Sequence, residues 1–209
     1  AKVAATLLLT LPGLPFVYYG EEIGMTGDKP DPRLRTPMQW APQPGEGFTT
    51  GTPWEGAQSD SFTTTVASEE NDPGSLLNLY RRLIHLRRQN EALAAGTLTP
   101  LTAGSPQVAA YLRRSGAHAV LVALNLGDAS AAGVPVSSAG AVLPPGRYAA
   151  HNLLGGPDGA PLEVRSDGRI TGYVPTATLG PREFLVLNLV RHHGGEERGR
   201  RYRSSTSSP

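Results

Sequence analysis

The sequence predicts an α+β chain, in which an α/β unit at residues 1–94 precedes a small antiparallel β-sandwich at residues 97–190. Two observations predict this class. A helix-forming stretch, a Pro-Gly turn and a short apolar run follow one another at the start, and this order is half of a βαβ repeat. Further along, short β-rich runs recur between turn residues without a helical period, which is typical of an antiparallel sandwich.

Length, charge and cysteine content restrict the class of protein. The 209 residues suffice for one large or two small domains, and the net charge of +1 gives no field that favours nucleic acid or membranes. There is no cysteine, so the sequence predicts no disulfide and no thiolate chemistry, and a cytoplasmic protein is expected. The apolar stretch 4–19 is too short to span a bilayer, and prolines interrupt it.

The N-terminal stretch predicts a helix and a buried strand. Ala and Leu dominate residues 1–11, and Pro12-Gly13 stops the helix. The run Leu14–Tyr19 holds Val17 and three aromatics, which suits a strand with both faces covered. Such a strand needs neighbours on both sides and otherwise exposes an apolar edge, so we expect its partner to lie upstream of this chain.

A long loop and a helix follow this strand. Residues 20–71 are rich in proline, glycine and threonine, and loops of this length usually carry function. Asp72 and Pro73 predict a helix start, as N-cap and first helical residue, and Gly96 ends the helix after about Ala94. The face predicted to be buried comprises Leu76, Leu79, Tyr80, Leu83, Ile84 and Leu86. The face predicted to be solvated comprises Arg81, Arg82, Arg88 and Gln89.

Several apolar or alternating runs predict the strands of the sandwich, and Pro, Gly and Asp residues mark the turns between them. The predicted strands are 107–113, 119–126, 146–151, 162–164, 169–173 and 182–189. Residues 191–209 lack apolar anchors, so a disordered tail is predicted there. For the arginines of this tail, a solvated terminus is favoured over contact with a polyanion. His192-His193 is too sparse for a metal site.

The loop carries the residue types that a sugar-binding cleft uses. Carboxylates and arginines bind hydroxyl groups, and flat aromatic rings pack against the apolar face of a pyranose. Glu21 and Glu22 are adjacent, and adjacent residues of an extended chain point to opposite sides. A retaining glycosidase needs two facing carboxyls about 5 Å apart. This pair is therefore not predicted to be catalytic, and one glutamate is predicted to accept hydrogen bonds from loop backbone.

Three further loop residues are open to two interpretations each. Trp40 and Trp54 are predicted to pack in a small core of the loop, with sugar stacking as the alternative. Arg35 is the strongest candidate for ligand contact, because the Thr-Pro pair that follows it stiffens the backbone. A salt bridge from Arg35 to Glu22 or Asp31 explains the same arginine equally well.

The motifs GLPFVYYGEEIGM, RTPMQW and GFTTGTPW resemble the α-amylase superfamily of glycoside hydrolases, in particular its α-glucosidase and oligo-1,6-glucosidase branch, with trehalose synthases nearby. The segment DPGSLLNLYRRLIHLRRQNEAL is similar to that family's last barrel helix. The resemblance implies that residues 1–94 are the last βα unit of a (β/α)8 TIM barrel, with Leu14–Tyr19 as its eighth strand. It also implies a C-terminal β-sandwich domain, and a loop 20–71 that forms one wall of the active-site mouth.

The same resemblance implies which residues bind substrate, and it implies that the catalytic carboxylates of the family are not part of this sequence. Arg35, Glu22 and Tyr19 are expected to bind substrate, whereas the family's catalytic carboxylates and its calcium-binding loop match nothing in this sequence. We expect the C-terminal part of an α-glucosidase-type hydrolase that acts on α-glucosidic bonds of maltose and oligosaccharides. It is expected to be inactive without the rest of the barrel. No cofactor and no metal are expected, and neither nucleic acid nor a membrane is expected as a partner.

An alternative from another class is a non-catalytic carbohydrate-binding or scaffold module built on the sandwich. Tyr111, Tyr148 and Tyr173 would supply its sugar platforms, although tyrosines in such strands more often pack in the core or at an edge. Polyanion binding through the basic tail is the least favoured hypothesis.

Overall fold

The computed structural model describes residues 1–192. The first half is helical with long connections, and its helices are α1 (Lys2–Thr10), α2 (Val66–Glu69), α3 (Leu76–Gln89) and α4 (Glu91–Ala94). The second half is a β region, and its longer strands are β1 (Thr97–Ala103), β2 (Val108–Ser115), β3 (His118–Asn125), β6 (Gly146–Asn152), β7 (Gly159–Val164) and β9 (Phe184–Arg191). Its two-residue strands are β4 (Ala131–Ala132), β5 (Val136–Ser137) and β8 (Thr178–Leu179).

The helix predicted over 72–94 is present, but it begins later and is divided in two. Ser75 is the N-cap of α3, and its Oγ accepts a hydrogen bond from the backbone N–H of Asn78 at 3.1 Å. Asp72 instead closes a tight turn, because its Oδ1 accepts from Gly74 N at 2.8 Å. Asn90 interrupts the helix with extended backbone, and its side chain accepts a hydrogen bond from α4 at 3.3 Å.

The position of this cap gives a stability test. We expect Ser75→Ala to lower the free energy of unfolding by about 1 kcal/mol, because the first turn of α3 loses its side-chain acceptor. Asp72→Ala is the matched comparison and should cost less, because it removes one exposed turn contact. Urea unfolding followed by circular dichroism measures both. A larger loss of stability for Asp72→Ala than for Ser75→Ala would indicate that Asp72 is the N-cap, as the sequence predicted.

The buried face of α3 packs against α1, with Ala5 and Leu9 in one cluster with the α3 leucines. Most of the predicted core face is buried or half-buried, and the predicted solvated face is exposed. Ile84 is the exception, since 40% of its surface is exposed. Arg87, which the sequence pattern did not single out, is buried on this helix. Arg87 is polar at this buried position because it binds backbone carbonyls at the end of α1.

Two buried arginines hold the C-terminal end of α1. Arg87 on α3 donates to the carbonyl of Leu11 at 2.8 Å, and Arg113 on β2 donates to the carbonyls of Thr10 and Gly96. Helix C-terminal carbonyls lack intrahelical partners and carry partial negative charge, so a guanidinium suits this place. Burial lowers the pKa of both guanidinium groups. We call this pair the arginine clamp, and it ties the β region to the helical half.

The predicted strand Leu14–Tyr19 is not a strand in this structure. Its backbone is irregular and its side chains are exposed, with 79% of Leu14 and 80% of Phe16 accessible to solvent. A strand is held by hydrogen bonds to neighbouring strands, and no strand within residues 1–192 pairs with this segment. The apolar composition predicted a buried strand. Its burial requires neighbouring strands, and residues 1–192 do not provide them.

The β region is built on one antiparallel seven-stranded sheet. Its strand order is β5-β1-β2-β3-β9-β6-β7, and β4 and β8 form a separate two-stranded sheet. One sheet face forms the main core, which includes Leu121 and Leu187 together with Leu179 of β8. The antiparallel arrangement agrees with the prediction, while the second layer of the predicted sandwich is much smaller than the first.

Strand β3 explains why one run in the sequence is continuously apolar. Leu121 and Ala123 face the main core, whereas Val120 and Val122 pack in a second cluster with Leu93 of α4. Both faces of this strand are covered, so neither face needs polar residues. The second cluster also places the helical half against the sheet.

Several of the predicted strands differ from the structure. Residues 169–173 contribute only an isolated bridge between Tyr173 and Val136, and β1 was missed because Pro100 and three threonines dilute its apolar pattern. β9 continues to Arg191, inside the segment predicted to be disordered. The remainder of that predicted tail, with His193 and the arginine cluster, lies outside the described residues. Among residues 1–192, no helix has the length and apolar character that crossing a bilayer requires.

Candidate functional site

The three residues predicted to bind substrate line one groove in the helical half. The groove has a volume of about 710 Å³, which lies in the range of small-molecule sites. It is lined by Tyr19, Glu22, Arg35, Thr36, Pro37, Met38, Trp40, Phe48, Thr49, Thr52, Pro53 and Trp54. All of these residues come from the long loop or the residue before it. The role of Tyr19, Glu22 and Arg35 in substrate binding remains a prediction.

A glycine-bounded turn carries the two glutamates and brings Glu22 to the groove. Gly20 and Gly24 have left-handed backbone, with φ of 89° and 70°, on either side of the short 3-10 turn Glu21–Ile23. A Cβ at Gly20 would approach the sulfur of Met25 to 2.7 Å, so this position requires glycine for space as well as for conformation. Ile23 is fully buried and fixes the turn.

The two glutamates lie in different environments, and one of them binds loop backbone as predicted. Glu21 is exposed, and its Oε2 accepts a hydrogen bond from Tyr18 N at 3.2 Å, so it is the glutamate that binds loop backbone. Glu22 lines the groove, and its Oε2 is buried with no hydrogen-bond partner among residues 1–192. A buried carboxylate oxygen without a donor is unfavourable, so Glu22 presents an acceptor that a ligand hydroxyl can satisfy.

Tyr19 is held against the backbone of the RTPMQW motif. Its hydroxyl donates to the carbonyl of Thr36 at 2.9 Å. Burial and the neighbouring Tyr18 raise the pKa of the Tyr19 phenol, and the positive charge of Arg35 acts in the opposite direction. The phenol is therefore neutral at physiological pH and keeps the proton that it donates to Thr36.

Among the described residues, Arg35 has no carboxylate partner. Within residues 1–192, no salt bridge within 4.0 Å joins it to Glu22 or to Asp31, and Asp31 contacts Lys29 at 3.7 Å instead. The predicted alternative, a structural salt bridge of Arg35, is therefore wrong for this structure. Its guanidinium is exposed at the groove and offers a planar set of donors.

The aromatic residues of the loop are exposed rather than packed in a loop core. Trp40 is 49%, Phe48 59% and Trp54 68% exposed, and all three line the groove. The small core of this region consists of Ile23, Met38 and Leu77 instead. The prediction that both tryptophans form the loop core is wrong, because aliphatic side chains fill that space.

The sequence comparison concerns this same part of the chain. The family model described as "Alpha amylase, catalytic domain" matches residues 1–96. Residues 1–96 are therefore similar to the catalytic domain of the α-amylase family. All the residues that line the groove lie inside the matched segment.

Curated relatives come from the branch that the motifs indicated. The chain is 38% identical over 128 residues to a trehalose synthase of Pimelobacter sp., covering 54% of this chain and 21% of the relative. It is 29% identical over 165 residues to an oligo-1,6-glucosidase of Parageobacillus thermoglucosidasius, covering 61% of this chain and 29% of the relative. The chain therefore spans less than a third of the length of these two relatives.

Solved structures extend the similarity to the β region. An isomaltulose synthase mutant from Erwinia rhapontici NX5, in complex with D-glucose, matches with a TM-score of 0.65 at 25% identity. The match covers 90% of this chain and 38% of that one. A match over this share of the chain includes the β region, so both halves follow the fold of that isomaltulose synthase.

The chemistry that the groove can perform alone is limited. Glu22 is the one carboxylate among its lining residues, and retaining glycosidases use two carboxyl groups across the scissile bond. Within residues 1–192, no group of three or more His, Asp or Glu side chains is arranged to hold a metal ion. The groove can therefore bind and orient a polar ligand with an apolar face, using a cation, an acceptor and four aromatic rings.

Proposed function

We propose that this chain forms one wall of the substrate site of an α-glucosidase-type glycoside hydrolase that acts on α-glucosidic bonds of maltose and oligosaccharides. The single observation that carries the proposal is the groove in which Tyr19, Glu22 and Arg35 meet inside the family-matched segment. The relatives named trehalose synthase and oligo-1,6-glucosidase support the same substrate class. A cytoplasmic location is part of this proposal.

Each groove residue has a role in this function. Arg35 donates hydrogen bonds to sugar hydroxyls or to the glycosidic oxygen, and Glu22 accepts from a hydroxyl and so satisfies its buried oxygen. Tyr19 fixes the backbone of the RTPMQW motif through Thr36. The aromatic rings offer flat apolar surfaces to the faces of the sugar rings. The carboxylates that break the bond are contributed by residues outside this groove.

The chain alone is proposed to bind α-glucosides without hydrolysing them. The physical reason is the single carboxylate of the groove, which cannot act both as nucleophile and as general acid. The segment Leu14–Tyr19, exposed here, is proposed to pair with further barrel strands in the complete catalytic domain. The rest of the barrel is therefore the required partner for catalysis.

Two measurements on one preparation test this function. Calorimetric titration of the chain with maltotriose should show binding, and incubation with p-nitrophenyl-α-glucoside should release no nitrophenol above a blank. A chimera that carries residues 1–96 in place of the matching segment of the Parageobacillus oligo-1,6-glucosidase should hydrolyse the same compound. Hydrolysis by the chain alone, or an inactive but folded chimera, would contradict the proposal.

The alternative of a carbohydrate-binding module on the β region has no support in the geometry. Tyr111, Tyr148 and Tyr173 are all buried, and their hydroxyls are engaged within the protein. Burial raises the pKa of Tyr173 to about 12, as expected for a phenol that is kept from water. Buried rings cannot stack on a sugar, so these tyrosines are core residues.

A further inference from the structure

Resting on the proposed function, we propose that the two tryptophans of the groove bind successive sugar rings of an α-linked glucose oligomer in different ways. Trp40 lies on fixed backbone and stacks on one sugar ring. Trp54 belongs to a segment that closes over the ligand and stacks on the next ring. The segment is residues 52–57, which we call the Trp54 segment. The contrast between the two lies in how the backbone around each ring is held.

The backbone of Trp40 is held on both sides. Its N–H donates to the carbonyl of Glu46 at 2.8 Å, and its carbonyl accepts from Ala67 N at 3.0 Å. The neighbouring Gln39 is fully buried, and its carbonyl accepts from Val66 N at 2.9 Å. These bonds attach the end of the RTPMQW motif to α2, so the backbone that carries the Trp40 ring is fixed.

The backbone of the Trp54 segment is not held. Within residues 1–192, residues 52–57 form no hydrogen bond through backbone or side chain. Gly51 directly precedes the segment and Gly56 lies within it, and a Cβ at Gly56 would meet nothing within 4 Å. A segment with exposed backbone, glycine and few contacts belongs to the least stable part of a fold, and such segments act as closing elements.

Both rings are free to receive a ligand. Among the described residues, the aromatic pair found within stacking distance is Tyr18–Tyr19, so neither tryptophan is engaged with another ring. A groove of about 710 Å³ is large for one monosaccharide, and Pro53 and Trp54 form part of its wall. When one sugar ring is stacked on Trp40, a second ring of the same oligomer would contact Trp54. This contact would close the Trp54 segment over the ligand. Closure therefore depends on ligand length.

The chain holds two tryptophans, and both line the groove, which allows a direct test. Trp40→Phe leaves Trp54 as the single fluorescent reporter, and Trp54→Phe leaves Trp40. Acrylamide quenching of each variant is measured without sugar, with glucose and with maltotriose, while calorimetry measures binding independently. With maltotriose, the quenching constant of Trp54 should fall about threefold, because a ring packed on a sugar loses contact with solvent. With glucose, protection should be confined to Trp40.

The affinity effect is measured with a matched pair of alanine variants. Trp54→Ala should raise the dissociation constant for maltotriose about tenfold, the size expected for loss of an aromatic anchor, and should leave that for glucose unchanged. Phe62→Ala is the control, since Phe62 is an exposed aromatic of the same loop outside the groove. Maltotriose binding with unchanged Trp54 quenching, or equal protection by glucose, would overturn this inference alone. Absence of any calorimetric binding would overturn the proposed function as well.

Discussion

Replacing Arg113 with alanine is expected to lower the free energy of unfolding by about 3 kcal/mol. The side chain is 1% exposed, and it is the donor for the carbonyls of Thr10 and Gly96. Each buried carbonyl left without a donor costs about 1–3 kcal/mol, and the truncated side chain leaves a cavity. Removing a buried positive charge recovers part of this loss, which is why the expected total is not larger.

Three variants separate the clamp from a general effect of removing arginine. Arg88→Ala, on the exposed face of α3, should change the unfolding free energy by less than about 0.5 kcal/mol. Arg113→Lys keeps the charge but cannot reach two carbonyls with a planar fork, so it should also be destabilising. Urea unfolding monitored by circular dichroism gives all three values. If Arg113→Ala were no worse than Arg88→Ala, the clamp would have no energetic role.

Arg35→Ala is expected to weaken maltotriose binding about thirtyfold, which corresponds to about 2 kcal/mol and is typical for a hydrogen bond to a charged group. Within residues 1–192 the guanidinium forms no salt bridge, so no ion pair is lost and the main effect falls on the ligand. Unfolding free energy should therefore remain close to that of the unchanged chain. Isothermal calorimetry measures the affinity, and urea unfolding measures the stability.

Arg33→Ala is the matched control for this experiment. Arg33 is an exposed arginine of the same loop, but it does not line the groove. Its removal tests whether positive charge near the groove is enough for binding. Equal loss of affinity in both variants would indicate a general electrostatic effect, and it would remove the specific role that we give to Arg35.

Local patterns in the sequence predicted the parts of the fold that depend on near neighbours. The helix α1, the solvated face of α3 and the long strand β3 follow from composition and periodicity, and they occur where predicted. Leu14–Tyr19 fails because a strand depends on hydrogen bonds to distant segments, and apolar composition alone does not supply them. Arg87 was missed because a charged residue on an apolar face gives no periodic signal.

The candidate site was partly predictable for a similar reason. The motifs that resemble the α-amylase family led to Tyr19, Glu22 and Arg35, and the structure places all three in one groove. The burial of the tryptophans could not be judged from sequence, because it depends on which side chains fill the loop core. Met38 occupies that place, and the rings remain outside.

The arginine clamp also connects the sheet to the groove, although no residue of the β region lines it. The chain passes from the clamped end of α1 through residues 11–18 directly to Tyr19 and Glu22. Arg113 therefore fixes the end of α1 from which the chain continues to the turn that carries the glutamates. A protein shortened before Thr97 would lose that anchor, so ligand affinity would fall although every residue in contact with sugar was retained.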